Sequence, residues 1–491
     1  MAKRSARQRK TRSSRSGASS NENVRPLRSE DFNRRPATQR DYTFSSFFED
    51  EDSYAQERAY ARSRSSSQGR SASRSTGAVR GRRSGAIIQK KTTSKARAFA
   101  LPQREESDFT IIACVIMLSV IGLIMVTSAS YYYAYTQMGN SMYFFRRQLL
   151  WLIVGLAAMF GTMKLPFLNL LNKPVLLKRV AQIVYAVSLL CCIAVLFFGS
   201  NINGSTRWLD LGFLSFQPAE LAKFGVALYI SVLVEEHQKD ITKAEVFAKL
   251  FVVVCIPTAL VAYQNLSSGI IIAAIGMIIM FVGGARWKHF FCIVGPIFAL
   301  IVLVVVLPML IDIERLPQAL QGFMQEFLYR TERVQAWLDP FAYAQDEGFQ
   351  TVQSLYAVGS GGLLGRGLGQ SIQKLGFIPE AHNDIIFSII CEELGLFGAG
   401  IVILLFGIFV WHGIKISLFA PNKFTSLLAV GIVGQIGLQA ILNIAVNTNS
   451  IPATGITLPF ISYGGSSMLF LMISVGILLN ISSYTRKTSA S

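Results

Sequence analysis

Three stretches of this 491-residue chain set chargeable or hydroxylated side chains against apolar runs. In FIPEAHNDIIF, Glu380, His382 and Asp384 alternate immediately before one such run. An ionised carboxylate at Asp384 can accept a proton, orient a hydroxyl, or bind a divalent cation such as Mg or Mn through oxygen. A lone Asp at a helix start is normally only a cap; the long connection before it and the His beside it shift the reading toward a site. In NGSTRWLDLGFLSFQPAELAKF, Pro218 can open a helix at its first turn, with Glu220 and Lys223 following on one face. Charges inside a membrane span cost about 2.5–3.5 kcal/mol each at the bilayer centre unless they pair or face water. Glu220 and Lys223 are therefore either a structural ion pair or part of a substrate site. Arg207, beside Trp208, either holds a phosphate or anchors the chain at the membrane interface. In NTNSIPATGITLPFISYGGSS, prolines and a Gly pair break the apolar pattern before a last helix. Its opening residues, Ser462 and Gly464, Gly465, Ser466, either offer free N–H groups to an anion such as pyrophosphate or let helices pack closely.

Other residues are less open. The glycines between Gly359 and Gly369 follow no strand and precede no GK[ST], so they are not a phosphate-binding loop. Glu392 and Glu393 lie about two turns beyond Asp384, roughly 12 Å along a helix. They either bind neighbouring helices or line a cavity that begins at Asp384. The cysteines Cys114, Cys191, Cys192, Cys255, Cys292 and Cys391 all fall inside apolar runs with no framework spacing. No disulfide scaffold, metal cluster or organic cofactor is expected.

The elements that must carry these residues follow from composition. Of the chain, 51% is hydrophobic and 15% charged, which excludes a soluble enzyme once the apolar runs are mapped. Ten spans are predicted, at about 109–130, 148–167, 180–199, 219–236, 248–264, 268–284, 287–311, 384–411, 424–446 and 462–482. The fold class is thus an all-α polytopic membrane protein of residues 108–485, with a short cytoplasmic end at 486–491. Its 71-residue exterior connection at 313–383, between the seventh and eighth spans, contains an amphipathic stretch around Phe323 to Trp337.

Charge divides the chain differently. Of 47 Lys+Arg and 29 Asp+Glu, 25 and 11 lie in residues 1–107, leaving 22 and 18 beyond: net +14 against +4. The Arg/Ser-rich segment 1–107 is predicted to be a disordered basic cytoplasmic tail, not a cleavable signal. Its Tyr42–Asp52 insert (YTFSSFFEDED) is either a docking motif or a sticky patch. Anionic membrane lipids suit such a tether, and no nucleic acid partner is expected. Thirteen Lys/Arg in connections and span ends on the tail's side, against Arg146, Arg147 and Arg207 opposite, place both termini in the cytoplasm and the polar connections outside.

RWLDLG, QPAELAKF, QKLGFIPEAHNDIIF followed by EELG, and SIPATGITLPFISYGGSS occur in that order. Together they closely resemble the SEDS family of bacterial cell-wall polymerases, over about residues 108–485, with QKLGFIPEAHNDIIF more like the division branch than the elongation branch. The resemblance implies polymerisation of lipid II into glycan strands on the outer face of the cytoplasmic membrane at the septum. It also implies a class B penicillin-binding protein partner and other division proteins. It carries the essential family acid onto Asp384, the family's cavity Glu and Lys onto Glu220 and Lys223, and candidate substrate contacts onto Lys374, Glu380 and His382. The chain departs from the family at Gln264–Ser268 (QNLSS), where an acid is common. Two other readings stay open: a lipid II flippase or ion-coupled transporter, and a non-catalytic division scaffold.

Overall fold

The computed structural model describes residues 106–165, 173–202, 205–210, 215–293, 295–296, 334–346 and 348–485. The tail with its Tyr42–Asp52 insert, residues 323–333 of the amphipathic stretch and the end at 486–491 lie outside them. Among the described residues, ten helices of 12 residues or more carry the body: α1 Phe109–Met138, α2 Tyr143–Lys164, α3 Pro174–Phe198, α4 Pro218–Glu236, α5 Ala244–Gln264, α6 Leu266–Val282, α7 Phe349–Ser360, α8 Ile386–Leu418, α9 Lys423–Asn447 and α10 Gly465–Ser482. Except for α7, each coincides with a predicted span. Of the seventh span, only 287–293 and 295–296 are described, and they are helical.

Seven of these helices are long and apolar enough to cross a membrane. Helix α4 carries Glu220, Lys223, Glu235 and Glu236 in its 19 residues, and α6 has 17 residues. One departure from the all-helical expectation is a three-stranded antiparallel sheet between α3 and α4: β1 Ser200–Ile202, β2 Ser205–Asp210 and β3 Ser215–Phe216, in the order β1-β2-β3. The connection there is too polar and Gly-punctuated for helix, so its backbone groups pair across strands instead.

Helices α9 and α10 are the most buried of the membrane-length set. Helix α9 packs with α4, α6 and α8, and α10 chiefly with α2, while α1, α2, α3 and α5 expose apolar side chains such as Ile124, Ile153, Leu190 and Val252. Outward apolar faces and an interior with polar groups are what lipid as the surrounding solvent selects. Basic residues close the last turns of α2 (Lys164) and α8 (Lys415). The opposite ends of those helices carry the candidate site.

Helix α8 is broken at Gly395, whose φ of 67° and ψ of −169° no helix allows. The break frees backbone groups that the glycine run takes up. Leu396 N–H donates to the Gly362 carbonyl (2.9 Å) and Phe397 N–H to that of Leu363 (3.1 Å). In return Arg366 and Gly367 donate to the carbonyls of Glu392 (2.9 Å) and Glu393 (3.0 Å). A side chain at Gly365 (φ 78°) would run into the Glu393 carbonyl, so backbone-to-backbone docking explains these glycines.

Candidate functional site

Helix direction gathers the site. Helices α2, α4, α6, α8 and α10 all begin at one cavity of about 1420 Å³, and α1 and α9 end there. The lining includes Arg146 and Arg147 from α2, Glu220 and Lys223 from α4, Asn265 and Ser268 at α6, Asp384 before α8, and Gly464 and Gly465 at α10. Each helix N-terminus carries a partial positive charge of roughly half an elementary charge. Five of them around one space favour an anion there.

Asp384 is half-buried in the cavity wall. Its main-chain carbonyl accepts from the side-chain amides of Asn443 (2.7 Å) and Asn447 (2.9 Å) on α9. Glu380 lines the same wall with φ at 50°, accepts from Asn383 Nδ2 at 2.7 Å, and is hydrogen-bonded to the Tyr133 hydroxyl. His382 also lines the cavity but is only 2% exposed, its ring boxed by Phe144 (4.3 Å), Tyr463 (5.6 Å) and Tyr133 (5.7 Å) between centroids. Burial among aromatics lowers its pKa to about 4, so the imidazole is neutral at pH 7. Its Nδ1 has no hydrogen-bond partner among the described residues.

On α4, Lys223 Nζ lies 2.6 Å from Glu220 Oε1, and both side chains are buried. Both also line the cavity, so the ion pair and the site are one feature. The second Glu220 oxygen, Oε2, has no partner among the described residues. A buried carboxylate oxygen left unpaired is costly, and a ligand hydroxyl or a water in the cavity would satisfy it.

The family model for the cell cycle proteins FtsW, RodA and SpoVE matches residues 108–487. The chain belongs to that family. Stage V sporulation protein E of Bacillus subtilis (strain 168) is 36% identical over 396 residues, covering 78% of this chain and 99% of the relative. A probable peptidoglycan glycosyltransferase FtsW of Geobacter metallireducens is 32% identical over 392 residues, covering 79% and 98%. Among solved structures, a chain from a peptidoglycan synthase complex that coordinates polymerization and crosslinking superposes with a TM-score of 0.60 at 26% identity, covering 77% and 97%. The rod shape determining protein RodA of Thermus thermophilus shares the fold, with a TM-score of 0.53 at 24% identity over 77% and 96%. Within the SEDS family this chain is FtsW-like, and it is a multi-pass membrane protein.

Not every expected contact of this SEDS chain faces the cavity. Lys374 Nζ is 2.7 Å from Glu393 Oε1 and 2.8 Å from Ser128 Oγ, buried behind the loop docked on α8. Its charge is spent on neutralising a carboxylate that is 0% exposed. Ser462 Oγ accepts from Leu458 N–H (2.8 Å) and Ser466 Oγ from Gln217 N–H (3.1 Å), so both hydroxyls hold backbone together. Arg207 lies on β2 next to Trp208, which lines the cavity; its side chain lies outside the described residues. Glu392 accepts from Ser371 Oγ (2.5 Å) and Ile372 N–H (3.0 Å), which resolves the two adjacent acids as structural.

Some cavity residues escaped sequence reasoning. Arg146 and Arg147 were visible only as exterior positive charges, yet both line the cavity. Arg147 stands 4.8 Å over the Tyr143 ring and is hydrogen-bonded to Tyr463. Gln439 and Asn447 line the cavity too, with Asn443 buried between them on α9; in an apolar span only their polarity at i, i+4 and i, i+8 marked one face of a helix. No three His, Cys, Asp or Glu side chains among the described residues form a metal-binding group. Glu380 is turned to Asn383 and Tyr133, and the His382 ring packs on Phe144.

Proposed function

We propose that this chain is a peptidoglycan glycosyltransferase that polymerises lipid II on the outer face of the cytoplasmic membrane during septal wall synthesis, with a class B penicillin-binding protein as partner. The observation that carries the proposal is one cavity that joins the Asp384 carboxylate to five helix N-termini and two arginines. The family's relatives named as probable peptidoglycan glycosyltransferases supply the reaction class.

In the reaction, the 4-hydroxyl oxygen of an acceptor sugar forms a bond to the anomeric carbon of a lipid-linked donor. The bond from that carbon to the pyrophosphate oxygen breaks, and the lipid pyrophosphate leaves with the electron pair. Attack opposite the leaving group inverts the anomeric centre. Asp384 takes the hydroxyl proton as general base. Arg146, Arg147, Lys223 and the helix N-termini stabilise the negative charge that grows on the leaving pyrophosphate. All of these are groups of the chain itself.

The orientation supports this reading. Lys164 and Lys415 end their helices away from the cavity, and the bias of Lys toward cytoplasmic helix ends supports a cavity that opens outward. Asp384→Ala is expected to abolish glycan synthesis by the purified protein with its partner and lipid II, with an unchanged melting temperature in detergent. Full polymerisation by that variant would sink the assignment.

A further inference from the structure

We infer that Asn443 and Asn447 of α9 are positioning residues that set the reactive geometry of Asp384 from a neighbouring helix. The inference rests on the reading of Asp384 as general base.

Helix α8 begins at Ile386 with no side-chain cap from its own segment. Such a start leaves N–H groups without partners and lets the first turn and the residues before it shift. Here the cap comes from α9. Asn447 Oδ1 accepts from Ser388 N–H (3.1 Å) and from Ser388 Oγ (2.8 Å). Its Nδ2 donates in the opposite sense, to the Asp384 carbonyl at 2.9 Å and the Asn443 carbonyl at 2.8 Å. One buried amide thus joins the α8 start to the residue two positions before it.

Asn443, one turn earlier on α9, donates from Nδ2 to the Asp384 carbonyl (2.7 Å) and the Ile456 carbonyl (2.8 Å). The Asp384 carbonyl therefore receives two donors, which uses both of its lone pairs. Ser354 of α7 completes the network, its hydroxyl oxygen 2.9 Å from the Asn447 carbonyl and 2.6 Å from Ser388 Oγ. Asn443 and Asn447 are 0% and 1% exposed. Buried amides satisfied in this way do not drift, because each lost hydrogen bond leaves a desolvated polar group. The Asp384 main chain is fixed to α9, and Asn443 also holds the 449–457 segment whose Thr454 and Thr457 line the cavity. Proton abstraction at a reacting hydroxyl needs placement to within an ångström, and a 1 Å error costs on the order of 100-fold.

The test is steady-state polymerisation of lipid II by the full-length protein with its class B partner. Asn447→Asp keeps an oxygen to cap Ser388 but replaces both N–H donors by a carboxyl oxygen that faces the Asp384 and Asn443 carbonyls. Asn443→Leu removes the second donor at similar volume. Each variant is expected to lower kcat about 10- to 100-fold with KM for lipid II within about twofold of wild type. Combined with Asp384→Glu, Asn447→Asp is expected to add little further loss, since both act through one carboxylate. Wild-type kcat in the Asn variants beside an inactive Asp384→Ala overturns the inference and leaves the proposed function standing. Fully multiplicative losses in the double variant, or a raised KM at constant kcat, also overturn it. Activity in Asp384→Ala overturns the underlying reading itself.

Discussion

His382 shows how a single side chain can be at a site without carrying charge there. Boxed by Phe144, Tyr463 and Tyr133, its pKa falls to about 4 from 6.5 because burial penalises the imidazolium. The folded state then binds fewer protons than the unfolded state between those two values, so stability rises with pH across that window and is level above it. The full difference corresponds to roughly 3 kcal/mol lost as pH falls from about 6.5 to about 4. His382→Phe keeps an aromatic ring in the box and removes the titration. Melting temperatures of the wild type should fall across that window, while those of His382→Phe fall distinctly less; parallel curves would contradict the assignment. In the proposed mechanism a neutral His382 adds no positive charge for the pyrophosphate, which leaves that task to the cavity residues Arg146, Arg147 and Lys223. The pairing of Glu220 with Lys223 was legible in QPAELAKF because helical spacing puts them on one face. The aromatic box was not, since its members come from positions 133, 144, 382 and 463, which no local pattern connects.

At the scale of elements, the broken helix α8 and the loop docked on it form one polar unit inside an apolar body. Glu393, fully buried, accepts from Gly369 N–H (2.9 Å), Ser128 Oγ (2.7 Å) and Lys374 Nζ (2.7 Å). Removing one partner of such a pair typically costs about 3–5 kcal/mol, because a buried charge is left uncompensated. Lys374→Met is therefore expected to lower the melting temperature strongly. Adding Glu393→Gln removes the stranded charge while keeping an acceptor for Gly369 and Ser128, and should recover most of the loss. Because Lys374 lies outside the cavity lining, the double variant is also expected to keep the wild-type KM for lipid II. A raised KM would return Lys374 to the substrate. The spans themselves were readable from apolar runs, since lipid forces every spanning backbone to satisfy its own hydrogen bonds. The loop's path was not, because it depends on a left-handed glycine at 395 meeting glycines some 30 residues earlier.

Across the whole molecule, the excess charge and the chemistry occupy different parts of the chain. Residues 1–107 hold 25 Lys/Arg and 11 Asp/Glu, whereas the family match begins at residue 108. That boundary is also where the body closes on itself. Asp108 caps α1 by accepting from the N–H groups of Thr110 (2.9 Å) and Ile111 (3.3 Å). Its other oxygen is 2.9 Å from His412 Nδ1 on α8, and its own N–H donates to Ser482 Oγ on α10 at 3.1 Å. The first residue of the family match thus supplies the cap of α1 and is fastened to two other helices. Deleting residues 1–100 is accordingly expected to leave polymerisation with the class B partner within about twofold of wild type and the melting temperature unchanged. What the deletion should weaken is attraction to anionic membranes, where each Lys or Arg near the surface contributes about 1 kcal/mol that salt screens. Binding of a peptide of residues 1–100 to vesicles with and without phosphatidylserine measures that term directly. Loss of polymerisation in the truncated protein would instead place part of the enzyme in the tail. Asp108→Ala, by contrast, removes the cap and the His412 contact while leaving the main-chain N–H to Ser482, and is expected to cost more stability than the entire deletion, through about 1 kcal/mol for the cap alone.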